Sequence, residues 1–207
     1  MFFLYVCAMM SVRRAMAWLS RLRHRAGFGV HSPWAFRFIR DVVGERLPYY
    51  AYADLQGQAP ISGKRELRLA RLYLRLSNFM QAAAAIDYAA PTPAYAMYIA
   101  AGCRRTRVTS ADGSPAGTAA AIAAIGGARL ARMSAVGQYE RFFDAWRAAA
   151  ADTSMLVIEG IDSSRDARRL WRRMKDDGAC TLTFDLYYCG IVYKDSRRAK
   201  QHYIVDF

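Results

Sequence analysis

Residues 82–115 constrain this chain more tightly than any other stretch. Residues 82–88 form a short apolar run that closes on an acid, Asp87. A loop with two prolines follows, Ala89-Ala90-Pro91-Thr92-Pro93, and residues 94–102 then read as a helix. A second apolar run, 106–112, closes on another acid and a turn, Asp112-Gly113-Ser114-Pro115. The pattern is strand, loop, helix, strand, with an acid at the end of each strand. In a parallel α/β sheet, ligands sit outside the carboxyl ends of the strands, at the crevice where strand order reverses. Asp87 and Asp112 would both point there. Four consecutive alanines, Ala82 to Ala85, favour helix by propensity, so a strand at this place is a demanding expectation.

The rest of the chain alternates in the same way. Residues 33–43 begin a helix, with Ser32 as N-cap, Pro33 in the first position and an apolar face of Trp34, Phe38, Ile39, Val42 and Val43. Residues 52–63 read as a polar connection, and 64–79 as a helix whose Lys64, Arg65, Arg68, Arg71 and Arg75 are most simply a solvated face. An Ala-rich helix at 116–125 is closed by Gly126-Gly127. Residues 128–135 are a weak strand candidate, and 139–151 a helix with Phe142, Phe143 and Trp146 on one side. Ser154 to Glu159 is a continuous apolar run suited to a central parallel strand. A helix over 165–175 follows, then three strands at 181–186, 190–193 and 200–207.

Two stretches carry a resemblance to a known family. The chain resembles the class I S-adenosylmethionine-dependent methyltransferases, in particular a small-molecule O-methyltransferase-like branch found in Bacteroidetes. The branch's first motif, Glu-Leu-Gly-Thr-Ser-Leu-Gly-Ile-Ser-Thr-Leu-Tyr-Leu-Ala, aligns without a gap on Asp87 to Ala100; the acid and the Tyr98-Ile99-Ala100 end match. Its two glycines are Ala89 and Pro93 here. Its second motif, Thr-Ile-Glu-Gly-x-Pro, is matched by Ser110-Ala111-Asp112-Gly113-Ser114-Pro115. The block Gly29-Val30-His31-Ser32-Pro33-Trp34 and the stretch Tyr49-Tyr50-Ala51-Tyr52 are further marks of the branch. His31 reads either as a substrate-side acid–base group or, in the reading we prefer, as a structural histidine of the turn.

The resemblance implies a Rossmann-like three-layer α/β sandwich, its sheet mostly parallel with an antiparallel C-terminal edge. Against that family pattern, about one strand–helix unit is expected to be missing or merged. The family has two such units between the helix at 139–151 and the strand at 181–186, where this chain has one. The domain plan is an apolar extension or mis-assigned start at 1–11, a helical region and linker at 12–63, and the methyltransferase-like domain at 64–207.

The resemblance also implies function. Asp87, Ala89, Pro93, Asp112 and Gly113 fall on the family's cofactor-binding positions, with Asp112 placed to accept the ribose hydroxyls of S-adenosylmethionine. Glyless loops change that site: glycine lets a backbone turn with positive φ and lets a ligand touch the main chain, and Pro91 and Pro93 remove two N–H donors. The cofactor is therefore expected to bind weakly or not at all. Glu159 and Asp162 are the candidate bases, on position alone. The chain reads as methyl transfer to a small-molecule oxygen in an impaired state, or as a non-catalytic interaction or regulatory protein, a pseudoenzyme, on the same fold.

Charge and cysteines narrow the partners. The formal charge is +13, but the arginines are spread along the chain and do not recur around aromatics as in RNA-binding modules, so specific nucleic-acid binding is not expected. The basic amphipathic helix at 12–25 either lies on a membrane surface or packs on the domain. The apolar run at 1–10 is too short to span a bilayer. A small-molecule substrate, a peripheral membrane contact and a second copy of the chain are the partners left open. Cys7, Cys103, Cys180 and Cys189 and three separated histidines show no metal spacing, so no metal is expected, and isolated thiols suit a reducing cytoplasm.

Overall fold

The computed structural model describes residues 32–207. The readings of residues 1–31, His31 and the 12–25 helix among them, lie outside the described residues. Ser32 caps α1 (Pro33–Phe38), its Oγ accepting from the Ala35 amide at 3.3 Å. A π-helical turn, Ile39–Val43, extends α1. The 52–63 stretch is not the polar connection its composition suggests: α2 runs Ala51–Gln58, because Tyr52 and Leu55, one turn apart, both find the core. Then come α3 (Lys64–Met80), β1 (Ala84–Tyr88), α4 (Ala94–Gly102) and β2 (Arg107–Ala111). They are followed by α5 (Pro115–Ala124), a 3-10 turn (Ile125–Gly127), β3 (Leu130–Ser134), α6 (Tyr139–Ala149) and β4 (Ser154–Glu159). The chain ends with α7 (Arg165–Asp176), β5 (Leu182–Asp185), β6 (Cys189–Lys194) and β7 (Gln201–Ile204).

The strands form one sheet in the order β2-β1-β3-β4-β6-β5-β7. The alanine run is a strand after all: β1 pairs in parallel with β2 on one side and β3 on the other. Two hydrogen-bonded edges outweigh the modest helix preference of alanine. β3 and β4 are also parallel. The antiparallel element is the C-terminal β5–β6 hairpin: β6 inserts between β4 and β5, and β7 lies parallel to β5 at the edge. Between α6 and β5 there is one strand–helix unit, β4–α7.

Both faces of the sheet are covered, which is why its central strands read as near-continuous apolar runs. Alternate residues point to opposite faces. Ala85, Leu130, Met155 and Val157 pack with α1, α2, α3 and α4. Ile86, Tyr88, Ala131, Met133, Leu156 and Ile158 pack with α5, α6 and α7, where Phe142, Phe143 and Trp146 fill the interior. The result is a Rossmann-like three-layer α/β fold. Strand order reverses between β1 and β3, and that reversal places the crevice at the carboxyl ends of these two strands. Among the described residues no helix is long and apolar enough to cross a membrane, and no group of three His, Cys, Asp or Glu side chains could hold a metal ion.

Candidate functional site

At the crevice lies a charged residue that the sequence reading passed over. Arg132 sits in the middle of β3, directly opposite Asp87 in β1. By the alternation of the pleat, Asp87, Arg132 and Glu159 all project to the α3–α4 face. All three are buried, Arg132 to within 1% of complete. The Arg132 guanidinium donates to Asp87 Oδ1 at 3.3 Å, to the Tyr88 carbonyl at 3.0 Å and to Ser134 Oγ at 2.6 Å, and it is ion-paired with Glu159 Oε2. Tyr73 of α3 donates to the same Glu159 oxygen at 3.1 Å. Tyr95 of α4 and Tyr73 turn their ring faces to the guanidinium, with centroids 5.2 and 6.0 Å away. Arg65 approaches from solvent, 3.9 Å from Glu159 Oε1.

One cation thus links the acid of β1 to the acid of β4. A buried ion pair is costly unless each member's remaining polar atoms are also satisfied. Here that satisfaction is incomplete: Asp87 Oδ2, Arg132 Nε and the Tyr95 hydroxyl have no hydrogen-bond partner among the described residues. Burial pushes Asp87 up to about 6, against the pull of the Arg132 charge. Burial likewise raises the Tyr73 and Tyr95 hydroxyls above the ordinary phenol value, and Asp87 and Glu159 hold the Arg132 proton more firmly.

The Asp87 shift has a definite sign in stability. Its folded-state value lies above the ~3.9 of an unfolded aspartate, so between roughly pH 4 and 6 the folded protein holds the extra proton. The contribution of Asp87 to stability is therefore greatest below about pH 4 and falls as pH rises through about 6. Asp112, Asp152 and Asp195, all lowered by hydrogen bonds, act in the opposite sense at acid pH. The difference between wild type and Asp87→Asn isolates the first effect. Urea unfolding at pH 4 and pH 7 should find the variant gaining on wild type as pH rises; a constant difference would contradict the assignment.

The loop after β1 is shaped by the same crowding. Ala89 adopts φ 50°, the left-handed conformation that glycine takes without cost and that an L side chain takes at about 1–2 kcal/mol. Its amide donates to the Ala111 carbonyl at 2.6 Å. Gly113, at φ 81°, lies against it: a Cβ on Gly113 would be 3.3 Å from the Ala89 methyl and 3.3 Å from the Val136 carbonyl oxygen. Gly137 presses on the Gly113 carbonyl, where a Cβ would come within 2.3 Å. The loops after β1, β2 and β3 therefore meet directly over the crevice.

At the start of α4, Pro93 is the N-cap residue and exposed. Two of the amides that a helix N-terminus would offer an anion are engaged: Ala94 donates to Thr92 Oγ1 at 3.3 Å and Tyr95 to the Thr92 carbonyl at 3.4 Å. Asp112 is exposed; its Oδ1 accepts from the Ser114 amide at 3.0 Å, and hydrogen bonding to Ser114, its hydroxyl first and then its amide, holds the carboxyl below the usual carboxylate range. Asp162 is separate from the buried network. It pairs with Arg168 at 3.4 Å and borders a cavity of about 520 Å³ with Trp171, Asp185 and Tyr187.

The structure thus joins Asp87 and Glu159, which the sequence assigned to different roles, and gathers Ala89 and Gly113 into one loop cluster. Sequence reasoning missed Arg132, Tyr73 and Tyr95. The available signal was a lone arginine inside Leu130-Ala131-Arg132-Met133, in a chain whose other apolar strands end in acids.

No family model matches the sequence, and no curated protein matches it. Solved structures of similar architecture include a protein from Corynebacterium glutamicum, 16% identical, with 78% of this chain and 97% of that chain covered at a TM-score of 0.49. A methyltransferase from Geobacter sulfurreducens is 11% identical, covering 77% and 97% at a TM-score of 0.48. An O-methyltransferase from Bacillus cereus in complex with SAH is 9% identical, covering 76% and 96% at a TM-score of 0.45.

Proposed function

We propose that this chain is a class I S-adenosylmethionine-dependent methyltransferase-like protein, of small-molecule O-methyltransferase ancestry, whose methyl-transfer site is impaired. One observation carries the reading: Arg132 holds the crevice acid Asp87 and the candidate base Glu159 in a single buried network. A base must reach the proton it abstracts, within hydrogen-bond distance or through one water. Glu159 instead spends one oxygen on Arg132 and Tyr73 beneath the loops.

The residues present suit only part of the cofactor. Asp112 is exposed and still suited to ribose hydroxyls, each such charged hydrogen bond contributing about 1.5–3 kcal/mol. By the resemblance, Ala89 replaces a glycine over which the cofactor would lie; a methyl intruding there would cost ~1–3 kcal/mol by overpacking, on the order of ten- to a hundredfold in affinity. Pro93 and the engaged amides at the start of α4 subtract further donors. The protein we infer is a non-catalytic or weakly active relative, acting through its surface.

Calorimetric titration of the purified protein with S-adenosylmethionine tests this. The expected result is no saturable binding at micromolar concentration. Micromolar binding that Asp112→Ala abolishes would replace this reading with an active methyltransferase.

A further inference from the structure

We infer that the protein carries a binding site for a small organic phosphate, in a basic cavity on α3 remote in sequence from the crevice loops. The cavity is about 440 Å³, within the size range of small-ligand sites. Its lining includes five cations, Arg46, Lys64, Arg68, Arg71 and Arg75, against two carboxylates, Glu45 and Asp206.

Four of the cations come from one helix face. Lys64, Arg68, Arg71 and Arg75 are spaced by four, three and four residues, so they form a single stripe along α3. A stripe of like charges on adjacent turns repels itself, by a few tenths of a kcal/mol per pair. On a solvated surface such a stripe relaxes into water. Here Lys64, Arg68 and Arg71 are exposed, and only the inner end of the stripe, Arg75, is buried. Arg75 is 93% covered, with 7% of its surface exposed, and its three partners are the Val42 carbonyl at 2.7 Å, the Val43 carbonyl at 3.2 Å and the Tyr52 hydroxyl at 3.4 Å. Its hydrogen bonds go to neutral oxygens, and it forms no salt bridge with a carboxylate among the described residues. A buried charge without a counter-charge is costly. Lys64, Arg68 and Arg71 likewise form no salt bridge among the described residues.

The heads are also held in place. Arg71 lies over the Tyr52 ring at 4.9 Å and Arg68 over the Phe207 ring at 4.5 Å. A guanidinium fixed by its face on an aromatic ring keeps its N–H edge for a ligand, and a planar fork of donors suits phosphate oxygens. Leu67, Val43 and Leu47 give the same cavity an apolar wall. Cations converging on a concave space with apolar walls fit a phosphate group on an organic body. An extended polyanion would be met by a flat or grooved basic surface.

Pyrophosphate and phenyl phosphate, titrated calorimetrically in 150 mM salt, are the probes. The expected result is one-to-one saturable binding of at least one of them. Arg68→Gln with Arg71→Gln should weaken it at least tenfold. Arg104→Gln with Arg105→Gln, which removes the same charge from an exposed turn after α4, should change it less than twofold. In the unsubstituted protein the Nε–H resonances of Arg71 and Arg75 should shift with pyrophosphate, a readout independent of how the variants fold. Absence of saturable binding, equal weakening by both double variants, or unmoved Arg71 and Arg75 resonances would overturn the proposal. So would Arg68- and Arg71-dependent binding to anionic vesicles or duplex DNA that is tighter than binding to either probe.

Discussion

Arg132→Met is expected to lower the unfolding free energy by roughly 3–5 kcal/mol, the usual consequence of removing one partner from a buried ion pair. The physical reason is what remains. Asp87 and Glu159 would face one another across β3 with no cation between them, both inside the α3–α4 face of the core. The lost aliphatic stem matters less, since methionine fills much of the same volume and adapts its shape. The companion variant Arg132→Met, Asp87→Leu, Glu159→Met removes all three charges. It should recover most of the loss, because a packed apolar cluster often equals or exceeds a buried ion network. Denaturant midpoints at pH 7 decide it. If the single variant matches wild type, the network is not dry enough for its charges to matter. If the triple variant is the least stable of all, the network itself is a major source of stability.

Gly102→Ala should cost about 3 kcal/mol, at the upper end of overpacking effects. Gly102 ends α4 where that helix crosses α3. A Cβ there would come within 2.2 Å of the Leu74 carbonyl oxygen, 2.7 Å of Ser77 Cβ and 2.9 Å of the Asn78 amide nitrogen. Two of these three atoms are backbone in the interior of a 17-residue helix, so no side-chain rotation relieves the clash. Leu74 and Ser77 are themselves buried, which prevents α3 from tilting outward cheaply. The two helices would have to part, and α3 carries Tyr73 while α4 carries Tyr95. The substitution should therefore weaken the Arg132 network as well. Thermal unfolding with near-ultraviolet circular dichroism reads both effects; a variant that melts with wild type would show that the helix pair has slack.

The fold was legible because the parallel strands alternate with helices at regular distances. Ser154 to Glu159 is recovered to the residue, since five buried apolar or small positions in a row, closed by an acid, admit few alternatives. β1 was legible only through its surroundings: alanine alone argues for helix, and the acid, the proline loop and the following helix argue for a strand end. The helix Ala51–Gln58 was not legible. Its glycine and glutamines read as loop, and its two anchoring residues, Tyr52 and Leu55, gain their meaning only from α3 and the π-turn beside them. Of the site, Asp87, Glu159 and Asp112 could be singled out as strand-end acids, because strand ends have a chemical signature. Arg132 could not. Its role depends on register, on being opposite Asp87 and two residues from the level of Glu159, and register is a tertiary property. The same limit explains the basic stripe of α3. Spacing shows that its cations share a face, but only packing shows that the face closes into a cavity.

The position of β6 has a consequence for synthesis. β4 is complete at Glu159, yet its second hydrogen-bonded edge is supplied by Cys189–Lys194, some thirty residues later. In the interval a growing chain presents Ser154-Met155-Leu156-Val157-Ile158 with one row of amides and carbonyls unfilled. An open edge on an apolar, uncharged strand is a template for pairing with another chain. At ribosomal speeds of about 5–20 residues per second, that exposure lasts on the order of seconds. Nascent chains halted between α7 and β6 are thus the species in which self-association should begin, and the hairpin β5–β6 is the segment whose arrival ends it.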